Sequence, residues 1–147
     1  MGQVKKILAG SFLFAIGLVL AGCVFDSPDK SLTLGGHEIK VEIVDTAVSR
    51  VNGLSGRESL CASCGMLFVY DNSAKRAFWM KNMNFPLDII WLNDNRAVGF
   101  SEALEPEGEE PSRTYASPEP VDMVLEVNAG FVAKNGIKAG DPVQLGN

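Results

Sequence analysis

An apolar run near the N-terminus decides which part of this chain can form a globular domain. Lys5 and Lys6 precede the run from Ile7 to Leu20, and no acidic residue occurs before Asp26. A basic start followed by an apolar stretch is typical of a signal peptide, which is removed from the mature protein. The folded domain must therefore form from the residues that follow this leader.

The leader ends in a sequence that indicates lipid attachment. Leu20-Ala21-Gly22-Cys23 resembles the lipobox that lipoprotein signal peptidase reads, in which a branched residue and two small residues precede a cysteine. We therefore expect residues 1–22 to be removed and Cys23 to carry acyl chains, which hold a protein stably at a membrane when there are two or more. The alternative is an uncleaved membrane helix, because the apolar character continues through Val24 and Phe25. Either arrangement places the rest of the chain in the cell envelope, facing the periplasm or the cell exterior.

The remaining cysteines form a pair close together in the sequence. The chain has three cysteines, so lipidation of Cys23 leaves Cys61 and Cys64, which we expect to form a disulfide in an oxidising envelope. Its short loop limits the stabilisation to about 2 kcal/mol. Two alternatives stay open: a redox function for the pair, and Cu(I) binding by these sulfurs together with Met80 and Met83. The sequence otherwise predicts no metal and no cofactor.

Charge and motif content exclude several classes of function. Removal of the two leader lysines takes the net charge from −5 to −7, and a domain this acidic is not expected to bind nucleic acid. The single histidine, His37, lies beside a predicted turn, and the sequence contains no Gly-x-Ser-x-Gly or His-Glu-x-x-His motif. These absences argue against serine hydrolases with a nucleophile elbow and against zinc proteases.

The residues after Cys23 divide into a tether and one domain. The tether, residues 23–31, contains the polar stretch Ser27-Pro28-Asp29-Lys30-Ser31 and spans on the order of 15 Å as a flexible chain. Residues 32–147 have the length of one domain and show no second linker. We therefore expect the domain to lie close to the membrane that holds Cys23.

The domain begins with the pattern of a β-hairpin. Leu32 to Leu34 and His37 to Val44 flank Gly35-Gly36, and apolar residues alternate with polar ones along the second run. Two glycines allow the positive φ angles of a two-residue turn. A short helix is predicted to follow, from a cap at Asp45 or Thr46 to about Leu54.

The rest of the domain is mostly apolar runs of strand length. They are Met66 to Tyr70, Ala77 to Met80, Leu87 to Asn93, Ala97 to Ser101, Val121 to Val127 and Val143 to Leu145. Asn128 is predicted to cap a second short helix that ends at Gly136. The glutamate- and proline-rich stretch from Ser101 to Val121 has neither pattern and is predicted to be a functional or disordered loop. The predicted class is α+β: one compact β-rich domain with a mostly antiparallel, barrel-like sheet and two short helices.

Several blocks of sequence resemble one known family in the expected order. They are Gly53-Leu54-Ser55-Gly56-Arg57, Gly65-Met66-Leu67-Phe68-Val69, Phe78-Trp79-Met80-Lys81-Asn82-Met83, Pro86-Leu87-Asp88-Ile89-Ile90 and Val124-Leu125-Glu126-Val127-Asn128. With these blocks the chain resembles domain-of-unknown-function family 192. The resemblance covers nearly everything from Val41 to Val143. It implies a single β-rich domain, often behind a signal sequence, and brings no established reaction.

Candidate site residues concentrate between Phe78 and Asp88. The ligand-binding candidates are Arg57, Trp79, Met80, Lys81, Asn82 and Asp88. Asp88 is also the candidate catalytic residue, because a carboxyl group among apolar neighbours is costly unless it is paired and such pairings also mark functional sites. It could instead brace the adjacent loop, or act with Glu126 or Glu42 as one of two carboxyl groups.

Two functions remain open at this level. The first is a non-catalytic binding or accessory module for a small ligand, a glycan or a protein of the envelope, with an aromatic surface near Trp79. The second is a carboxylate-dependent envelope hydrolase that uses Asp88. An open cleft that shows Asp88 and Trp79 together would be compatible with both.

Overall fold

Alternating apolar and polar residues build a curled sheet in the computed structural model, which describes residues 30–146. The predicted leader and Cys23 lie outside these residues. The strands are β1 (Lys30–Leu34), β2 (His37–Val44), β3 (Cys64–Ala74), β4 (Ala77–Phe78), β5 (Leu87–Asn93), β6 (Arg96–Leu104), β7 (Tyr115–Ala116), β8 (Val121–Asn128) and β9 (Val143–Leu145). The helices are α1 (Ala47–Asn52) and α2 (Phe131–Asn135). Within residues 30–146 neither helix is long and apolar enough to cross a membrane.

Seven of the strands form one sheet in the order β6-β5-β8-β3-β2-β1-β9. All neighbouring pairs are antiparallel except β2 and β3, which run parallel because α1 carries the chain back between them. The two edge strands approach each other at one end, where the Ala97 N–H donates to the Asp141 carbonyl over 3.0 Å. The sheet is therefore a half-barrel, and the domain is mostly β with two short helices.

The two faces of the sheet carry separate apolar clusters. The cluster inside the curl consists of Leu32, Leu34, Ile39, Val41, Leu67, Ile90, Leu92, Ala97, Leu125, Val127, Val132, Ile137 and Val143. The cluster outside the curl consists of Val44, Leu54, Met66, Phe68, Met80, Met83, Leu87, Ile89, Trp91, Leu104, Val121 and Val124. Val132 of α2 packs in the inner cluster, whereas the outer cluster is covered by the loop after α1 and by the segment around β4, residues 77–84. The outer cover is therefore made of irregular chain, which leaves room for a cleft.

The turns follow the predicted chemistry closely. Gly35 and Gly36 turn β1 into β2 with φ angles of 56° and 86°. Asp94 and Asn95 turn β5 into β6 with φ angles of 48° and 57°, in the left-handed region that Asp and Asn tolerate. Thr46 caps α1 as predicted, because its hydroxyl accepts from the Ser49 N–H, which satisfies a free helix donor.

Several boundaries differ from the prediction. β1 begins at Lys30, so Lys30 and Ser31 belong to the sheet and not to the tether. The cap of α2 is Gly130 in a left-handed conformation, two residues after the predicted Asn128. The stretch predicted as a loop contains the end of β6 and the short strand β7, which pairs with β4.

Candidate functional site

A row of side chains across the outer face of the sheet contains two acidic residues. The strand register places Glu42 beside Met66, Met66 beside Glu126, and Glu126 beside Ile89. Residues in register on neighbouring strands share a face. Glu126 is only 5% exposed in this row. The outer face therefore holds a buried carboxyl group among apolar neighbours.

The Glu126 carboxyl group is neutral at neutral pH. Burial raises its pKa to about 8, and the Arg57 guanidinium opposes this rise with a smaller effect. A charged carboxylate is costly to desolvate, so a buried acid holds its proton. Its Oε2 atom is buried and has no hydrogen-bond partner among residues 30–146. Glu126 is thus a buried hydrogen-bonding group that the rest of the described domain does not satisfy.

Arg57 forms an ion pair with Glu42. Its guanidinium makes two parallel contacts with Glu42, of 2.8 Å and 2.9 Å. The two side chains remain partly exposed, so the pair contributes little to stability. Arg57 was predicted as a ligand-binding candidate, and the structure places it next to the Glu126 row and not in the wall of the cleft.

Glu126 lines a cleft of about 290 Å³ on the outer face. One wall is α1 and the loop that follows it, and the other wall is the segment around β4. The lining residues are Ala47, Arg50, Val51, Asn52, Gly53, Leu54, Ser55, Phe68, Tyr70, Ala77, Phe78, Trp79, Met83 and Glu126. The cleft is therefore mostly apolar and aromatic, with one buried acid.

Hydrogen bonds to backbone carbonyls join the two walls at one end. The Ser55 hydroxyl donates to the Lys81 carbonyl over 2.8 Å, and the Gly56 N–H donates to the Asn82 carbonyl over 2.8 Å. The Asn84 amide donates to the Arg57 carbonyl over 2.9 Å. These bonds fix the distance between the walls, so the cleft is largely formed before any ligand enters.

Aromatic rings and two arginines shape the inside of the cleft. Phe78 packs edge-on against Phe68, with ring centroids 4.9 Å apart. Arg50 and Arg76 lie over the Tyr70 ring, at 4.5 Å and 3.8 Å from its centroid. Burial raises the pKa of the Tyr70 hydroxyl, which the two arginines oppose. Tyr70 is therefore an uncharged wall of the cleft at neutral pH.

The mouth of the cleft exposes large apolar side chains. Trp79 is 49% exposed and Val51 is 68% exposed, and both line the cleft. Val48, one turn before Val51 on α1, is 73% exposed and does not line it. The apolar side of α1 thus faces outward and toward the cleft, where a ligand could cover it.

Asp88 lies on the opposite face of the sheet from Glu126. It pairs in register with Val127, whose side chain belongs to the inner cluster. Its two oxygens accept from the Ala103 N–H over 2.9 Å and from the Val132 N–H over 3.0 Å. Asp88 is fully buried and fastens β6 and α2 to the sheet, so it cannot act on one substrate together with Glu126.

The other predicted residues contribute in different ways. Met80 is fully buried in the outer cluster and does not line the cleft, whereas Met83 does. Lys81 and Asn82 contribute backbone carbonyls to the wall contacts given above. The predicted ligand-binding segment is therefore divided, with Trp79 in the cleft and Met80 beneath it.

The cysteine pair is joined as predicted. Cys61 and Cys64 form a disulfide with their Cα atoms 5.1 Å apart. A disulfide offers no thiolate to Cu(I), and within the described part of the chain no three His, Cys, Asp or Glu side chains are grouped to hold a metal ion. A second, larger cavity of about 630 Å³ lies beside this disulfide, lined by residues that include His37, Asn128 and Lys134.

Glu126 was predicted only as one of two alternative partners of Asp88 in a pair of carboxyl groups. The signal was present, since Glu126 stands between Leu125 and Val127 in a strand as Asp88 stands between Leu87 and Ile89. The pattern alone gives no reason to prefer one acid over the other. Their difference lies in what covers each face of the sheet.

Comparisons with known proteins identify the family. The family model DUF192, described as an uncharacterized ACR, matches residues 30–145. A crystal structure of a protein of unknown function from Novosphingobium aromaticivorans DSM 12444 is 31% identical, with a TM-score of 0.72 and coverage of 78% of this chain and 83% of that chain. A protein from Sinorhizobium meliloti 1021, described as a candidate transcription regulator, is 30% identical, with a TM-score of 0.72 and coverage of 78% and 92%. No curated protein matches the chain. The chain therefore belongs to domain-of-unknown-function family 192.

Proposed function

We propose that this domain is a non-catalytic binding module that holds a small organic molecule in the cleft between α1 and the β4 segment. The observation that carries the proposal is Glu126, a buried carboxyl group that lines the cleft and whose Oε2 has no hydrogen-bond partner among residues 30–146. Leaving such a group unsatisfied costs about 1–3 kcal/mol. A ligand that pairs with Glu126 removes this cost when it binds.

The size and lining of the cleft support a small ligand. An apolar cavity of about 150 Å³ holds a benzene ring. The cleft, at about 290 Å³, has room for one ring or a short chain that carries a polar group. Phe78, Trp79 and Val51 would cover the apolar part of such a molecule, and few polar groups would fix its orientation, as is usual in ligand sites.

A bulky side chain introduced on α1 at the mouth of the cleft should obstruct it and so tests whether ligands bind there. Val51→Trp places a large ring at the mouth, and Val48→Trp places the same ring on the same helix outside the cleft. Fluorine NMR follows four para-fluorinated probes: benzyl alcohol, benzamide, benzoate and benzylamine. We expect at least one to bind with a dissociation constant of about 1 mM or lower, worth about −4 kcal/mol. Val51→Trp should weaken that binding at least about tenfold, whereas Val48→Trp should not.

Two results would overturn this function. Either none of the four probes binds the native domain, or the bound probe has the same affinity for both tryptophan variants. Thermal unfolding of both variants serves as the control, because both positions are exposed and substitutions there should change stability by less than about 0.5 kcal/mol.

We further propose that the module works at a membrane surface in the cell envelope, held by acyl chains on Cys23. The support is the leader and its lipobox-like end, followed by a domain whose fold begins at Lys30, a few residues later. Mass spectrometry of the protein from its native host tests this. We expect an N-terminus at Cys23 with acyl mass, and an unprocessed N-terminus without acyl mass would contradict it.

A further inference from the structure

The chemistry of the cleft also indicates the class of ligand, an inference that rests on the binding function proposed above. We propose that the cleft takes a small organic acid, whose apolar body lies between Val51, Phe78 and Trp79 and whose carboxylate accepts a hydrogen bond from the Glu126 carboxyl group.

Glu126 in its protonated form needs an acceptor. A neutral carboxyl group has one O–H to donate, and the Oε2 atom of Glu126 is buried without a hydrogen-bond partner among the described residues. A carboxylate is the strongest acceptor that a small organic molecule offers, because O–H···O⁻ bonds are shorter and roughly twice as strong as neutral ones. A ligand carboxylate therefore satisfies Glu126 better than an amide or an alcohol.

Arg50 supplies positive charge that lacks an acidic partner. Its guanidinium donates to the carbonyls of Asp45 and Val69, over 2.6 Å and 2.7 Å, and its Nε is buried without a partner in the described part of the chain. Residues 30–146 contain two ion pairs, and neither includes Arg50. A cleft with this cation in its wall favours an anionic ligand over an ammonium group.

The groups around Glu126 compensate only in part for its ionisation, since its pKa stays raised although Arg57 lowers it. The charged groups are Arg50 of α1 and the ion pair between Arg57, in the loop after α1, and Glu42 of β2. The uncharged groups are Tyr70 of β3 and the side chains of Phe78, Trp79 and Met83 from the β4 segment. If Glu126 lost its proton, it would repel a bound carboxylate and could no longer donate to it. Ligand affinity should therefore depend on the protonation of this one group.

The test compares the four para-fluorinated probes on the native protein across pH. We expect benzoate to bind at least about fivefold more tightly than benzamide near neutral pH, and benzylamine to bind most weakly. Because only the protonated fraction is competent, benzoate affinity should fall about 30-fold between pH about 7 and pH about 9.5. The affinity of benzyl alcohol should change little over the same range.

Two variants separate the role of Glu126 from a loss of folding. Glu126→Gln keeps a donor that does not titrate, so it should bind benzoate with an affinity that no longer depends on pH. Glu126→Leu has no donor and should lose benzoate binding while it still binds benzyl alcohol, which shows that the cleft is intact. If benzamide or benzylamine binds as well as benzoate, or if native benzoate binding is flat with pH, the organic-acid inference is overturned while the binding function stands.

Discussion

We expect replacement of Asp88 by asparagine to lower the free energy of unfolding by about 2–4 kcal/mol. In the native domain each Asp88 oxygen accepts a backbone N–H, one from Ala103 and one from Val132. Asparagine keeps one oxygen and presents an NH₂ group to the other N–H. A buried donor then faces a donor, and neither is satisfied.

Urea denaturation measures this loss, and Asp94→Asn is the matched control. Asp94 lies in the exposed turn between β5 and β6 with a φ of 48°, a conformation that asparagine adopts readily. Its replacement should change stability by less than about 0.5 kcal/mol. Hydrogen exchange of the Ala103 and Val132 amides should also accelerate in Asp88→Asn. Native stability in that variant would show that the carboxyl group does not brace the fold, and would reopen a functional role for Asp88.

We expect replacement of Glu126 by glutamine to remove a pH dependence from the stability of the domain. The pKa of Glu126 rises from its ordinary value of 4.5 to about 8 in the folded state. Between these values the native state holds one proton that the unfolded state has released. Stability therefore falls as pH rises through this range, by about 1.4 kcal/mol per pH unit, and this loss is complete above the folded pKa.

Glutamine carries no titrating proton, so the variant lacks this slope. Urea denaturation at several pH values between about 5 and about 9 should give curves for native protein and Glu126→Gln that diverge as pH rises, with the variant more stable at the alkaline end. Glu38→Gln, at an exposed position of β2, is the control and should follow the native curve. Parallel curves for the native protein and Glu126→Gln would show that this carboxyl group titrates normally.

Much of the fold could be predicted because its signals are local. The hairpin at Gly35 and Gly36, the cap at Thr46 and the boundaries of β5 and β9 follow from alternation, turn residues and capping chemistry within a few positions. The parallel pairing of β2 with β3 is different. It depends on the path that α1 and its loop take over the sheet, which no short window of sequence specifies.

The candidate site could be predicted only in part, for the same physical reason. Asp88 and Glu126 have the same sequence pattern, an acid among apolar residues in a strand. α2 and β6 close over Asp88 with two N–H donors, whereas the walls over Glu126 leave an opening. The spacing of Val48 and Val51 likewise suggests a buried helix face, but α1 buries none of its residues. Segments that are distant in sequence decide which face of a strand or helix is covered. A local sequence pattern carries no information about those segments.

In the function proposed here, Glu126 is a neutral acid in an open ligand site. A direct test is an NMR titration of the glutamate carboxyl carbons, with and without para-fluorobenzoate. We predict one signal, missing in Glu126→Gln, with a midpoint of about 8 that moves to higher pH when the probe is added, because binding to the protonated form raises the pKa. A Glu126 midpoint near 4.5, or one that the probe leaves unchanged, would contradict the account.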